Sequence, residues 1–263
     1  MSNQFKHFIC THVNVAYHWY PLNEDQISEY NNTSHLKSCK APPAEWLEHR
    51  MKYFKKYCYP SIVNQKNQNF EWLVYFDDEM TNRKLLKGLD RITPIFLKKP
   101  YCWDYGKKHQ QIISDDIKSR LDKDTKFVIT SRLDCDDGLS DRYIEIVQKK
   151  FKPIQKNQIL NFVNGYIFEE RKNVVRHFPY VGTGANPFIS LIEPVTDKLI
   201  KTVHYEHHTT MIKYTKPEQI KTDGNNPMWL QILHGKNLRN IPRGRPMKEG
   251  YANMERFHID GKK

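Results

Sequence analysis

In its first half the chain alternates strand-length apolar runs with helical patterns, and that alternation constrains the fold more than any other feature. Phe5 to Val13 (FKHFICTHV), Phe70 to Phe76 (FEWLVYF) and Lys126 to Leu133 (KFVITSRL) are short runs rich in β-branched and aromatic residues, with a weaker one at Pro94 to Leu97. Between them, Pro42 and Pro43 open a segment whose Trp46, Leu47, Arg50, Tyr53, Phe54 and Tyr57 recur at spacings of three and four, as one buried helix face requires. Thr81 to Leu89 and Tyr105 to Leu121, the latter with Ile112, Ile113, Ile117 and Leu121, read as further helices. Strands joined through helices imply right-handed crossovers and a mainly parallel sheet flanked by helices, with binding loops at the C-terminal ends of the strands.

The second half is less regular. Ser140 to Phe151 reads as a helix, Ile159 to Phe168 as a hairpin or pair of strands around Asn164-Gly165, and Met228 to Leu233 as another strand. Asn14 to Ala41 is a long polar insertion after the first strand. From Lys236 onward eight Lys/Arg stand against three Asp/Glu, with RGRP at the centre, which predicts an extended basic tail or a terminus packed on the surface.

Hydrophobic residues make up only 38% of the 263, but aromatics reach 13%, so a core is available and global disorder is excluded. No run approaches the roughly 18 apolar residues of a membrane span, and MSNQFKHFICTHVNVAY has no apolar stretch of a signal peptide, which predicts a soluble cytoplasmic chain. The net charge of +12 favours anionic partners: a phosphorylated small molecule, an anionic lipid surface or nucleic acid. Five cysteines without a CxxC pair fit reduced thiols better than a disulfide framework or a zinc site.

The sharpest chemical feature is Thr130-Ser-Arg-Leu-Asp-Cys-Asp-Asp-Gly-Leu139, where a strand runs straight into Asp134, Asp136 and Asp137. Carboxylates gathered at a strand end repel one another unless a positive group neutralises them; a hard divalent cation with oxygen ligands, Mn²⁺ or Mg²⁺, does so and can bridge a diphosphate. A helix-capping turn is the other reading of the same residues. Asp77 and Asp78, at the end of the second strand, are candidates for a nucleotide's base or ribose, or for a helix cap.

Four stretches, WLEHRMKYFKKYCYPSIVNQKNQNFEWLVYFD (46–77), TSRLDCDDGL (130–139), NPFISLIE (186–193) and PMWLQILHGKNLRN (227–240), occur in the order found in the "putative rhamnosyltransferase" family of GT-A-like enzymes, which the chain resembles over nearly its whole length. The chain differs from that pattern at Thr11-His12-Val13-Asn14, where Thr-Arg-Phe-Asn is expected, and at Cys135, where Asn is usual. The resemblance implies a single GT-A-like, Rossmann-type domain: 1–139 binding a nucleotide-sugar, 140–235 facing the acceptor, 236–263 a basic tail. It further implies a dTDP- or UDP-sugar donor, an activated L-rhamnose, with transfer to a hydroxyl of a glycan or lipid-linked acceptor, and no nucleic-acid partner. A basic surface suits peripheral contact with the inner face of the membrane.

Within that frame Asp134, Asp136 and His234 are the candidate metal ligands, although a histidine ending a strand also serves as a hydrogen-bonded structural residue. Thr11, Asp77, Asp78, Arg132 and Asp134 are the candidate nucleotide-sugar contacts, Arg132 either gripping the diphosphate or bracing the acidic cluster. An inverting transfer needs a base for the acceptor hydroxyl: Glu193 first, Glu206 second, and His208 if neither serves. Asn186 and Gly182-Thr-Gly184 suggest an acceptor loop. The rival from another class is a nucleic-acid-binding protein or a metal-dependent nuclease using the same carboxylates and the basic surface.

Overall fold

The computed structural model describes residues 4–15, 44–77, 83–97, 107–179, 185–213, 215–235, 241–248 and 250–259. Most of the polar insertion, Asp78, Gly182 to Gly184 and the 236–240 segment lie outside them. Twelve strands are described: β1 Phe5–His12, β2 Glu71–Asp77, β3 Thr93–Leu97, β4 Phe127–Arg132, β5 Gly138–Leu139, β6 Gln158–Phe162, β7 Asn164–Glu169, β8 Val174–Pro179, β9 Ser190–Pro194, β10 Glu218–Ile220, β11 Trp229–Leu233 and β12 Arg245–Pro246. The helices are α1 Ala44–Tyr53, which continues through a π-helical turn at Phe54–Cys58 into α2 Tyr59–Val63, then α3 Lys107–Ser119, α4 Tyr143–Lys149 and the single turn α5 His208–Met211.

Seven strands form the main sheet in the order β10-β6-β9-β4-β1-β2-β3. Neighbours pair in parallel except where β9 runs against both β4 and β6, so the sheet is mainly parallel, as the strand–helix alternation predicts. Its strands are apolar on both faces because both faces are covered. Ile9, Trp72, Val74 and Ile129 point to the side holding Leu47, Met51 and Phe54 of the α1 segment; Phe8, Leu73, Tyr75 and Val128 point to the side holding Ile113 and Ile117 of α3.

The second sheet has the order β12-β8-β7-β11-β5. Its strand β5 directly follows the acidic turn, and β11 pairs antiparallel with it, Leu230 opposite Gly138. This pairing brings the end of β11 back alongside the acidic residues. Trp229 fixes β11 in place: its indole stacks on Phe188 with ring centroids 5.1 Å apart and donates to the Phe162 carbonyl at 2.9 Å.

Several elements differ from the sequence expectation. Of the two readings of 159–168, the pair of strands holds and the hairpin does not: β6 joins the main sheet and β7 the second, and Asn164-Gly165 opens β7. Gly165 is required there by packing, since a Cβ would lie 2.1 Å from the Trp229 ring. Where a helix is expected over Thr81 to Leu89, the described residues form only a 3₁₀ turn at Arg83–Leu86. For the C-terminal segment the packed alternative holds among the described residues: β12 pairs with β8, and Met254 and Phe257 are buried against Tyr53, Tyr57 and Tyr166. Asn186 is fully buried and braces a turn, its amide donating to the Phe162 carbonyl at 2.7 Å and its Oδ1 accepting from Phe188 N–H at 2.8 Å. No helix among the described residues is long and apolar enough to cross a membrane.

Candidate active site

The end of β4 and the turn after it set two linked groups of side chains at the C-terminal edge of the main sheet. In the first, Arg132 donates from Nε and Nη2 to Asp134 Oδ1, each at 3.2 Å, and from Nη1 to His208 Nδ1 at 3.3 Å. Asp134 keeps 41% of its side chain exposed and lies at the mouth of the site. In the second, Asp136 is buried and accepts from Arg50 of α1, while His234 Nε2 stands 2.9 Å from its Oδ2. His234 follows β11, stacks on Tyr53 at 4.0 Å and approaches His49 Nε2 with its Nδ1 at 3.5 Å.

The three carboxylates titrate differently because their surroundings differ. Burial opposes charge on Asp136, but Arg50 and His234 outweigh it, and the carboxyl is held below its ordinary value. Asp137 is pushed well above the carboxylate range, first by burial and then by Asp136 and Asp134. Its Oδ1 accepts the Ile232 N–H at 2.8 Å, so it ties the acidic turn to β11 and does not face the opening. Tyr53 donates to Glu170 at 2.5 Å, Tyr57 and Lys56 each reach the same carboxylate at 2.7 Å, and against the opposing effect of burial they hold it at about 2. This anchored tyrosine ring fixes the face of His234 on which it stacks.

His234 Nε2 and Asp136 Oδ2 are hydrogen-bonded to each other at 2.9 Å. In donor chemistry the nitrogen and oxygen of this pair suit a divalent cation, which would have to displace that hydrogen bond and draw Oδ2 away from Arg50. Among the described residues no three His, Cys, Asp or Glu side chains converge as a ready-made metal cage, so further donors would come from Asp134, water or substrate oxygens.

The structure thus brings Arg132, Asp134, Asp136, His208 and His234 to one edge. Glu193 is elsewhere. Because β9 is antiparallel to β4, Glu193 pairs with Val128, four residues before Arg132 and therefore roughly 13 Å down the sheet at about 3.3 Å per residue. Its carboxylate accepts the backbone N–H groups of Lys201 at 3.0 Å and Thr202 at 2.8 Å, holding Thr202 in a left-handed conformation (φ 65°). Burial raises it to about 7 against the pull of those two amides. Thr11 is also occupied: it is fully buried and its hydroxyl accepts the Trp72 indole N–H at 3.0 Å. Asp77 ends β2 at the same sheet edge as Arg132, while Asp78 lies outside the described residues. Glu206, two residues before His208, is half-buried, and its Oε2 is buried without a hydrogen-bond partner among the described residues.

Arg50, His49, Tyr53 and Glu170 are site residues that motif reading does not pick out. For Arg50 a signal exists: it is the charged member of an otherwise apolar and aromatic helix stripe, a position where a cation needs a buried partner.

No curated protein matches the chain. Among solved structures, the crystal structure of S. aureus TarS 1–349 matches with a TM-score of 0.42 and 10% identity, over 86% of this chain and 60% of that one. The family described as "Putative rhamnosyl transferase" matches residues 31–245, a span that includes the α1 segment with Arg50, the acidic turn and His234. The chain belongs to the family so described, and spans about 60% of the length of the TarS structure it matches.

Proposed function

We propose that the protein moves a sugar, L-rhamnose by its family, from a dTDP- or UDP-sugar to a hydroxyl of a glycan or lipid-linked acceptor, with inversion. The observation that carries this reading is the pairing of Asp136 with His234 beside the Arg132–Asp134 pair at the C-terminal edge of a mainly parallel sheet, where α/β proteins bind nucleotides. Asp136 and His234, with Asp134, would hold Mn²⁺ or Mg²⁺, which when bound supplies positive charge against the diphosphate leaving group. Arg132, held between Asp134 and His208, supplies a further positive charge at the same sheet edge.

Of the candidate bases we assign the role to Glu206, a reading supported by its Oε2 having no hydrogen-bond partner among the described residues. His208 already uses Nδ1 to accept from Arg132, which leaves its ring proton on Nε2 and no second lone pair to act as a base. Glu206 Oε2 takes the acceptor hydroxyl proton as the oxygen bonds to the anomeric carbon, and the bond to the diphosphate oxygen breaks with its electron pair leaving on the nucleotide. A single displacement of this kind inverts the anomeric centre. An acceptor met at an anionic membrane surface is the reading that exposed Ile241 and Tyr251 among Arg243, Arg245 and Lys248 support.

The test is a screen of UDP-, dTDP- and GDP-sugars with and without Mn²⁺, read as nucleotide release. The expected result is turnover with one donor class, lost by about 10²–10⁴-fold in Glu206→Gln while donor binding persists. An absence of turnover with every donor would overturn the proposal, and full turnover in Glu206→Gln would remove the base assignment.

A further inference from the structure

The 169–172 segment, Glu-Glu-Arg-Lys, leaves one charge over. Glu169 is taken by Arg176 and Lys172, and Glu170 by Lys56, Tyr53 and Tyr57. Arg171 is exposed and has no carboxylate partner among the described residues. Its location follows from strand register: β7 and β11 are parallel with Leu233 beside Glu169, so the residues leaving the two strands continue side by side and Arg171 comes to lie against Gly235. The contact is close. Gly235 has φ +88°, and a Cβ there would stand 2.5 Å from the Arg171 Cζ and Nη2. The left-handed backbone favours glycine there, and without a Cβ the guanidinium lies on the backbone immediately after His234.

Resting on the glycosyltransferase reading above, we propose that Arg171 is a donor-binding residue that grips the diphosphate of the nucleotide-sugar. A guanidinium lying against the residue that follows His234, unclaimed by any carboxylate among the described residues, has paired N–H groups to offer an anion, and the anion this reaction requires is the diphosphate. The 3₁₀ turn at Glu170–Lys172 that carries it is pinned through Glu170, so the cation is presented from a fixed support.

The experiment measures binding of UDP, dTDP and GDP, and of the corresponding monophosphates, to wild type, Arg171→Ala and Arg171→Lys by calorimetry in the presence of Mn²⁺. Diphosphate affinity should fall about ten-fold or more in Arg171→Ala and less in Arg171→Lys, as expected for loss of a charge-assisted contact. Monophosphate affinity and the thermal midpoint should stay near wild type. Equal losses for mono- and diphosphate, or no loss for either, would overturn the assignment and leave the glycosyltransferase reading standing. Failure of wild type to bind any of the diphosphates would overturn both.

Discussion

Replacing Asp136 with alanine should damage stability as well as chemistry, and the structure gives the size of the effect. The side chains of Arg50 and Asp136 are 11% and 8% exposed, so removing the carboxylate leaves a guanidinium buried without its main counter-charge. Breaking a buried pair from one side costs about 3–5 kcal/mol. For a chain of this size that corresponds to a fall of roughly 10 °C in thermal midpoint, at about 2–4 °C per kcal/mol. Arg50→Met combined with Asp136→Ala removes both charges and should recover about 2 kcal/mol relative to the sum of the single variants, because most of the loss comes from a buried charge deprived of its Asp136 contact. Urea unfolding followed by tryptophan fluorescence at pH 7 measures all four proteins. The Asp136 carboxyl is held below its ordinary 3.8, so its contribution is complete above that value and is lost as the pH falls through the lower folded-state value; the gap between wild type and Asp136→Ala should close only in acid. Asp136→Ala within about 1 kcal/mol of wild type, or a double variant whose cost is the plain sum, would refute this account of the pair. Donor turnover should be lost in both proteins that lack Asp136.

Gly165→Ala should destabilise by about 2–3 kcal/mol, since the added methyl meets the Trp229 ring at 2.1 Å and the ring is held by Phe188 and the Phe162 carbonyl; an unchanged urea midpoint would show that the ring yields freely. Glu193→Gln should leave donor turnover within a few-fold of wild type, as its carboxylate serves the 201–202 backbone, and a loss of about 10²-fold or more would return it to the candidate bases. Its folded-state value, raised to about 7, means that stability from Glu193 is fully present below the unfolded value near 4.5 and declines as the pH rises toward 7; stability should therefore fall between pH 5 and pH 7.5 by this contribution in wild type and not in Glu193→Gln.

Local periodicity carried much of this protein. The alternation of apolar runs with three-and-four spacing determined a mainly parallel sheet between helices, and the strand running into Asp134, Asp136 and Asp137 marked the edge at which the site lies, because these signals depend only on residues a few positions apart. Strand direction is not a local property. NPFISLIE offers a carboxylate at its end, but the segment enters the sheet as the antiparallel strand β9, and Glu193 sits beside Val128 instead of at the site. Asn164-Gly165 has the composition of a hairpin turn, but its glycine answers to an indole from β11, a contact that no window of neighbouring residues contains. The buried charge of Arg50 and the placement of His234 were likewise decided in three dimensions: antiparallel pairing of β11 with the two residues after the acidic turn sets the histidine beside Asp136, and α1 closes over both. Sequence alone specified which groups were available; the register and direction of distant strands selected which of them meet.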